Sequence, residues 1–175
     1  MTIWKIDPVH STIGFKVKHL MVSTVKGVFR EFSGTLSSPE EDFENTQVTF
    51  EAQVSSIDTN NEMRDNHLRS PDFFNAEQHP VLTFSSNSFK KNNDGEYLIT
   101  GDLSINGVTQ NITLVAESEG VGTNMEGTKI AGFDITGKIN RQDFGLKWNA
   151  TLETGGVVVS DEVNFDIHIE IVASA

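Results

Sequence analysis

Near the start of the chain a carboxylate, an imidazole and a hydroxyl fall close together in Asp7-Pro8-Val9-His10-Ser11. A serine nucleophile needs a base within hydrogen-bond reach. In an extended segment, however, neighbouring side chains project to opposite faces, so His10 is badly placed to activate Ser11. No GxSxG elbow supports a hydrolase elsewhere. The plain alternative is a His and a Ser satisfying backbone groups near a strand start. A second group is Arg64-Asp65-Asn66-His67. A guanidinium offers paired donors to a phosphate, yet Arg64 and Asp65 could equally tie their segment to neighbouring loops. Arg141 and Asp143, ahead of Phe144-Gly145, pose the same choice between an anion site and a turn held by its own ion pair. The five histidines, His10, His19, His67, His79 and His168, show no HxH or HExxH spacing, so a metal site would have to be assembled in space. No metal and no cofactor is expected.

The elements that position these residues are mostly strands. The exception is the run from Ile57 to Phe84, where alternation stops. Thr59 and Glu62 have capping-box spacing, which predicts a short helix opening near Asn60. Pro71 biases Ser70 away from helical angles and ends it around Arg69. Asp65 and Arg69 stand at i and i+4, acid first, a supporting pair. Met63 and Leu68 do not share a face, so Phe73-Phe74 must hold the helix down.

Elsewhere residues alternate with period two. Trp4 and Ile6, then Ile13, Phe15 and Val17, then Val48, Phe50, Ala52 and Val54 each set an apolar face against a wet one. Val22–Leu36 continues extended, with Gly27 and Gly34 as candidate bends, and 38–45 (SPEEDFEN) reads as a polar turn. Leu82 and Phe84 open the next strand. Asn92–Gly95 is a hairpin loop, and Tyr97–Ile105 meets Val108–Glu117 across the tight turn Asn106-Gly107. Gly120–Gly127 reads as a loop, followed by Ile130–Ile139. Residues 146–152 read as extended, 154–161 as a loop, and Val163–Ile171 as the last strand, with His168 outward and wet.

One chain of 175 residues, 37% hydrophobic and without repeat or linker, is read as a single domain over residues 1–175. About eight antiparallel strands with one apolar face each, plus one short helix near residues 60–69, predict an all-β barrel. A barrel of that size is either filled by side chains or holds one ligand. Thirteen basic against twenty-five acidic residues give a net charge of -12, which argues against binding nucleic acid or an anionic membrane by charge. Zero cysteines exclude disulfides and thiol chemistry. No apolar run is long enough for an integral membrane segment, and the start has no signal pattern. A cytoplasmic location follows for the chain as written, or a periplasmic one if a leader was removed.

The strings IDPVHSTIGFKVKHLMVSTVKGVF, SIDTNNEMRDNHLRSPDFF, GDLSINGVTQNITL and INRQDFGLKW, in that order, resemble the successive motifs of the YceI-like family, lipocalin-like β-barrels that bind polyisoprenoid or other long lipids. Many members of that family carry a secretory leader that this sequence does not show. The resemblance implies an elongated apolar tunnel, a helix packed against one end, and a long-chain lipid partner: a polyisoprenoid, a quinone-like molecule or a fatty-acid derivative. It assigns Ile13, Phe15, Val17, Phe29, Val48, Phe50, Leu82, Phe84, Leu103, Ile105, Leu114, Ile135 and Ile167 to the tunnel wall. It offers His10, Arg64, Asp65, His67 and Arg141 as receivers of a polar head. Family members often pair, so a homodimer is possible. Two function classes follow: a non-enzymatic carrier, store or sensor, or a small hydrolase acting on a lipid phosphate or ester through Asp7, His10, Arg64 and His67. A filled barrel acting as an interaction module is a third reading.

Overall fold

Residues 1–39, 42–150 and 157–174 are described by the structure, a computed structural model. The alternating segments form strands β1 (Thr2–Ile6), β2 (Thr12–His19), β3 (Ser23–Phe29), β4 (Phe32–Ser38), β5 (Gln47–Gln53), β6 (Ile57–Asp58), β7 (Val81–Lys91), β8 (Tyr97–Ile105), β9 (Val108–Thr123), β10 (Lys129–Asn140) and β11 (Val159–Ala173). They pair antiparallel in the order β1-β4-β5-β7-β8-β9-β10-β11, and β11 returns to β1 to close the ring. The wall is an eight-stranded closed barrel, and β2, β3 and β6 extend it. One stretch of β11, around Ile171–Ala173, lies against β1, while Val159–His168 lies against β2, so β1 and β2 are two halves of one strand bent at residues 7–11. In the same way β3 pairs with β2 and β4 with β1, on either side of a break at Arg30-Glu31.

Period-two alternation puts one face of each strand inside. Phe15 stands opposite Phe165, Phe50 opposite Phe84, and Ile99 opposite Leu114. Gly27 and Gly34 turn out not to be bends. A Cβ at Gly27 would lie 2.3 Å from the Phe15 ring and one at Gly34 2.5 Å from Ile6, so these glycines make room for inward side chains.

One end of the barrel is sealed by rings. Trp4 meets Phe43 at 5.3 Å between centroids, Phe43 meets Phe133 edge-on at 5.1 Å, and Tyr97 joins Phe133 to Phe89. All five are buried, in tilted and edge-on contacts of the kind aromatic rings prefer. Phe43 thus corrects the reading of 38–45 as a merely polar turn; residues 40 and 41 lie outside the described residues.

The helix α1 (Glu62–Arg69) lies toward the other end. Its N-cap is Asn61, whose side chain accepts from the Arg64 amide, so the expected Thr59–Glu62 capping box does not form. Thr59 is taken instead by Asp65, which is buried and accepts from both its amide and its hydroxyl. The expected Asp65–Arg69 pair is likewise replaced, because Arg69 donates to the Ser55 and Ile57 carbonyls and to Asn66. Phe73 is buried and Phe74 half-buried, as expected of the residues that hold the helix down.

Three further boundaries move. β9 runs through Gly120 to Thr123, since glycine does not prevent pairing with β10. Residues 146–150 carry no strand, while β11 begins at Val159 inside the expected loop; residues 151–156 lie outside the described residues. Among the described residues no helix is long and apolar enough to cross a membrane.

Candidate functional site

The barrel encloses a cavity of about 210 Å³. Every strand except β6 contributes a lining residue, joined by Leu68 of α1 and by Phe73, Phe74, Arg141 and Leu146. Apart from Gly14 and Arg141, the lining residues are all hydrophobic. Walls of that kind offer water none of the two to four polar partners it requires, so such a space favours an apolar occupant. Phe50 and Phe165 point inward yet are only half-buried, because part of their surface faces this cavity.

All thirteen residues assigned to the tunnel wall line the cavity, from Ile13 to Ile167. Others were left out although the same alternation reaches them: Ile99, Ile112, Phe133, Ile139, Val163 and Phe165. Phe89 is hidden by a bulge between Ser86 and Ser88 that shifts the register of β7. Leu68 carried no signal, because the helix is weakly amphipathic; Leu146 lies in a segment that carries no strand, and Val159 is the first residue of β11, where periodicity is shortest.

Of the five head-group candidates, only Arg141 lines the cavity. It is 3% exposed and lies in a short 3-10 turn, Arg141–Phe144. Its Nε donates to the Ser160 carbonyl at 2.9 Å, one terminal nitrogen to the carbonyls of Leu146 and Trp148, and the other to that of Val159. Its ion pair is with Asp161, at 3.5 Å, and not with Asp143 as expected. Burial pushes the Arg141 pKa below the ordinary arginine value, and Asp161 opposes that. The side chain therefore clamps two chain segments together at the rim.

Arg64 donates through Nε to the Thr59 hydroxyl and through a terminal nitrogen to the Thr59 carbonyl, which ties α1 to the segment before it. His67 Nε2 is 2.9 Å from Asp72, and its ring stands edge-on to Trp148 and Phe73. His10 sits elsewhere, exposed where β1 bends into β2. Its Nδ1 is 2.8 Å from Asp7 and 3.8 Å from Glu170 on β11. That hydrogen bond holds the Asp7 carboxyl below its usual pKa and the His10 imidazole above. Ser11 accepts from the Glu170 amide, as its backbone-satisfying reading requires. The Asp7–His10 pair and the Arg64 and His67 side chains thus each have their own partners. Asp7, His10 and Glu170 bring three ligand atoms within 4.8 Å of one another; the exposed ion pair accounts for that grouping. His168 faces outward as expected, but it is paired, with Asp134 and with Asp166.

The model of the YceI-like domain matches residues 4–171. A UPF0312 protein of Staphylococcus epidermidis is 43% identical over 171 residues, covering 97% of both chains. A UPF0312 protein of Staphylococcus aureus is 40% identical over the same share. Among solved structures, the Campylobacter jejuni YceI protein superposes with a TM-score of 0.75 at 32% identity, over 90% of each chain. Burkholderia cenocepacia BcnA gives a TM-score of 0.81 at 23% identity, over 94% of this chain and 98% of its own. A polyisoprenoid binding domain from Saccharophagus degradans gives 0.66 at 15% identity, over 98% of both. The last two share the fold; the closed barrel, the ordered motifs and the closer matches together place this chain in the YceI-like family.

Proposed function

We propose that this protein binds a long-chain apolar lipid inside the barrel, as a carrier, store or sensor, and leaves it chemically unchanged. The chain is a polyisoprenoid, a quinone-like molecule or a fatty-acid derivative. The observation that carries this reading is the cavity whose walls, Gly14 and Arg141 aside, are all hydrophobic side chains. At about 0.8 kcal/mol per buried methylene, ten methylenes supply about 8 kcal/mol before the cost of ordering the chain. No catalytic group is needed. The Saccharophagus degradans domain, described as polyisoprenoid binding, supports the reading by showing what this fold accommodates.

Native mass spectrometry of the purified protein, followed by solvent extraction, tests it. The expected result is a discrete added mass that extracts as an unaltered long-chain lipid, and loss of that mass in Phe50→Asp with Thr49→Asp, on the outward face, as control. A protein that stays free of ligand after incubation with polyprenyl, quinone and fatty-acid candidates would overturn the reading, as would a lipid returned hydrolysed.

A further inference from the structure

From Pro8 to Arg30 the chain contains no Asp or Glu, although it has twenty-five of them in all, and it carries Lys16, Lys18, Lys26 and Arg30. This stretch forms the β2–β3 hairpin. On its outer face Lys26 stands opposite Lys16, Lys16 opposite Asn164, and Asn164 opposite Lys138, so three lysines share one row across four strands. Lys18 follows Lys16 on the same face, and Lys16, Lys18 and Lys138 border one shallow groove. The carboxylates on this face include Asp166, 3.4 Å from Lys16, Glu162, beside Asn164, and Asp58, opposite Val28 and 2.7 Å from Arg30; Asp134, farther along β10, is paired with His168. A protein of net charge -12 therefore presents a local cationic face.

The tip of the same hairpin is apolar and exposed. Leu20 is 37% exposed, Met21 61% and Val22 84%. The chain turns tightly there, the Val22 amide donating to the His19 carbonyl. Leu20 and Met21 adopt φ values of 53° and 61°, in the left-handed region where Asn or Gly is at ease and bulky side chains are strained. Strain and exposure at once, in a turn that Asn-Gly would make readily, point to a use for the side chains. The tip also overhangs the cavity rim: Val17 lines the cavity two residues before His19, and His19 pairs with Val159, which lines it too.

We infer that the β2–β3 hairpin docks this protein on an anionic lipid bilayer, with Leu20, Met21 and Val22 entering the interface and Lys16, Lys18, Lys26 and Lys138 on the headgroups. The partner is set by complementarity: an apolar wedge backed by cations suits the boundary between acyl chains and anionic headgroups. The net charge of -12 disfavours other approaches, so the patch orients the encounter. In that orientation the rim of the cavity faces the membrane, which gives the carrier reading an entry route; the docking itself does not require a lipid inside.

Co-sedimentation with phosphatidylcholine vesicles, with and without phosphatidylglycerol, tests this with the full chain. The expected result is binding to the anionic vesicles, weakened by salt, and no binding to phosphatidylcholine alone. The K18E/K26E variant should lose about 30-fold or more in partitioning, at about fivefold per lysine removed. K90E/K91E, the same charge change at the sealed end, should leave it nearly unchanged. M21S/V22S should reduce binding with every lysine in place. Circular dichroism establishes that each variant is folded. Failure of the wild type to sediment with anionic vesicles overturns the inference, and so does an equal loss in K18E/K26E and K90E/K91E. A protein that carries lipid by native mass yet ignores vesicles refutes docking alone; one that binds vesicles but never takes up lipid refutes the carrier reading alone.

Discussion

Arg141 decides whether the one charged side chain on the cavity wall is a ligand contact or a structural clamp. Its donors are spent on four carbonyls, those of Leu146, Trp148, Val159 and Ser160, and Asp161 supplies the counter-charge. Replacing it by Met leaves those carbonyls without their donor at a buried site. Leaving a buried acceptor unpaired costs about 1–3 kcal/mol, so losing the donors to several carbonyls costs about 3–5 kcal/mol in all. At about 2–4 °C per kcal/mol for a domain of this size, Arg141→Met should lower the midpoint of thermal unfolding by about 6–20 °C. Arg141→Lys keeps the charge but not the planar fork that reaches several carbonyls at once, so it too should fall, by about half as much. The assay is circular dichroism melting of ligand-stripped protein, with native mass spectrometry of the lipid taken up by the same samples. A clamp predicts lower stability in both variants with unchanged preference between lipids differing only in head group. If Arg141→Lys melts with the wild type while that preference shifts, the clamp argument is wrong.

Gly27→Ala forces the Phe15 ring to move, because the new Cβ would stand 2.3 Å from it. The ring can yield only toward the cavity, so stability should fall by about 1–3 kcal/mol, as overpacking does, while lipid occupancy by native mass falls or shifts to shorter chains; unchanged occupancy would contradict the cavity assignment. Stability should also depend on pH. His168 and His10 have raised pKa values in the folded protein, chiefly from hydrogen bonds to Asp134 and Asp7 respectively. Their contribution is full below the unfolded value of about 6.5 and is lost as pH rises through the folded values. Both are exposed, so the slope is shallow. The melting midpoint should decline above about pH 6.5 in wild type and less so in H10Q/H168Q, and identical profiles would remove these pairs from the account.

The wall was legible because its code is short. A residue's parity along a strand decides its side of the sheet, so Ile13, Phe15 and Val17 could be assigned to the cavity without knowing which strand faces them. Closure was legible only as a class, from the number of one-faced strands. The bends of β1 into β2 and of β3 into β4 were not, because nothing in the local pattern says that β11 divides its edge between two halves of one strand. The polar candidates fared differently. Thr59–Glu62 has capping-box spacing, but the Thr59 hydroxyl donates to the buried Asp65 and accepts from Arg64 Nε while Asn61 caps the helix, an arrangement that exists only once the segment is packed. Arg141 looked able to pair with Asp143 two residues away; its partners are instead carbonyls brought in by the 146–148 and 159–160 segments. Phe43, inside a run of acids, gave no sign that it would plug the barrel.

That plug gives the cavity a direction. Trp4, Phe43, Phe89, Tyr97 and Phe133 close one end with packed rings, whereas the other is bounded by α1, the Arg141 turn and the β2–β3 hairpin, with Phe74, beyond α1, packed edge-on against Phe29 of β3. On the carrier reading a chain enters tail first from the α1 end, and any head group stays at that rim. There the donors of Arg141, Arg64 and Arg69 are already committed to groups of the protein itself. Recruiting one for a phosphate would mean breaking hydrogen bonds that hold the rim together, at about 1.5–3 kcal/mol each. Apolar burial carries no such cost. On the carrier reading, selection would therefore act through the length and girth of the chain, against Phe15, Phe50, Phe84 and Phe165, which line the cavity, before it acts through the head.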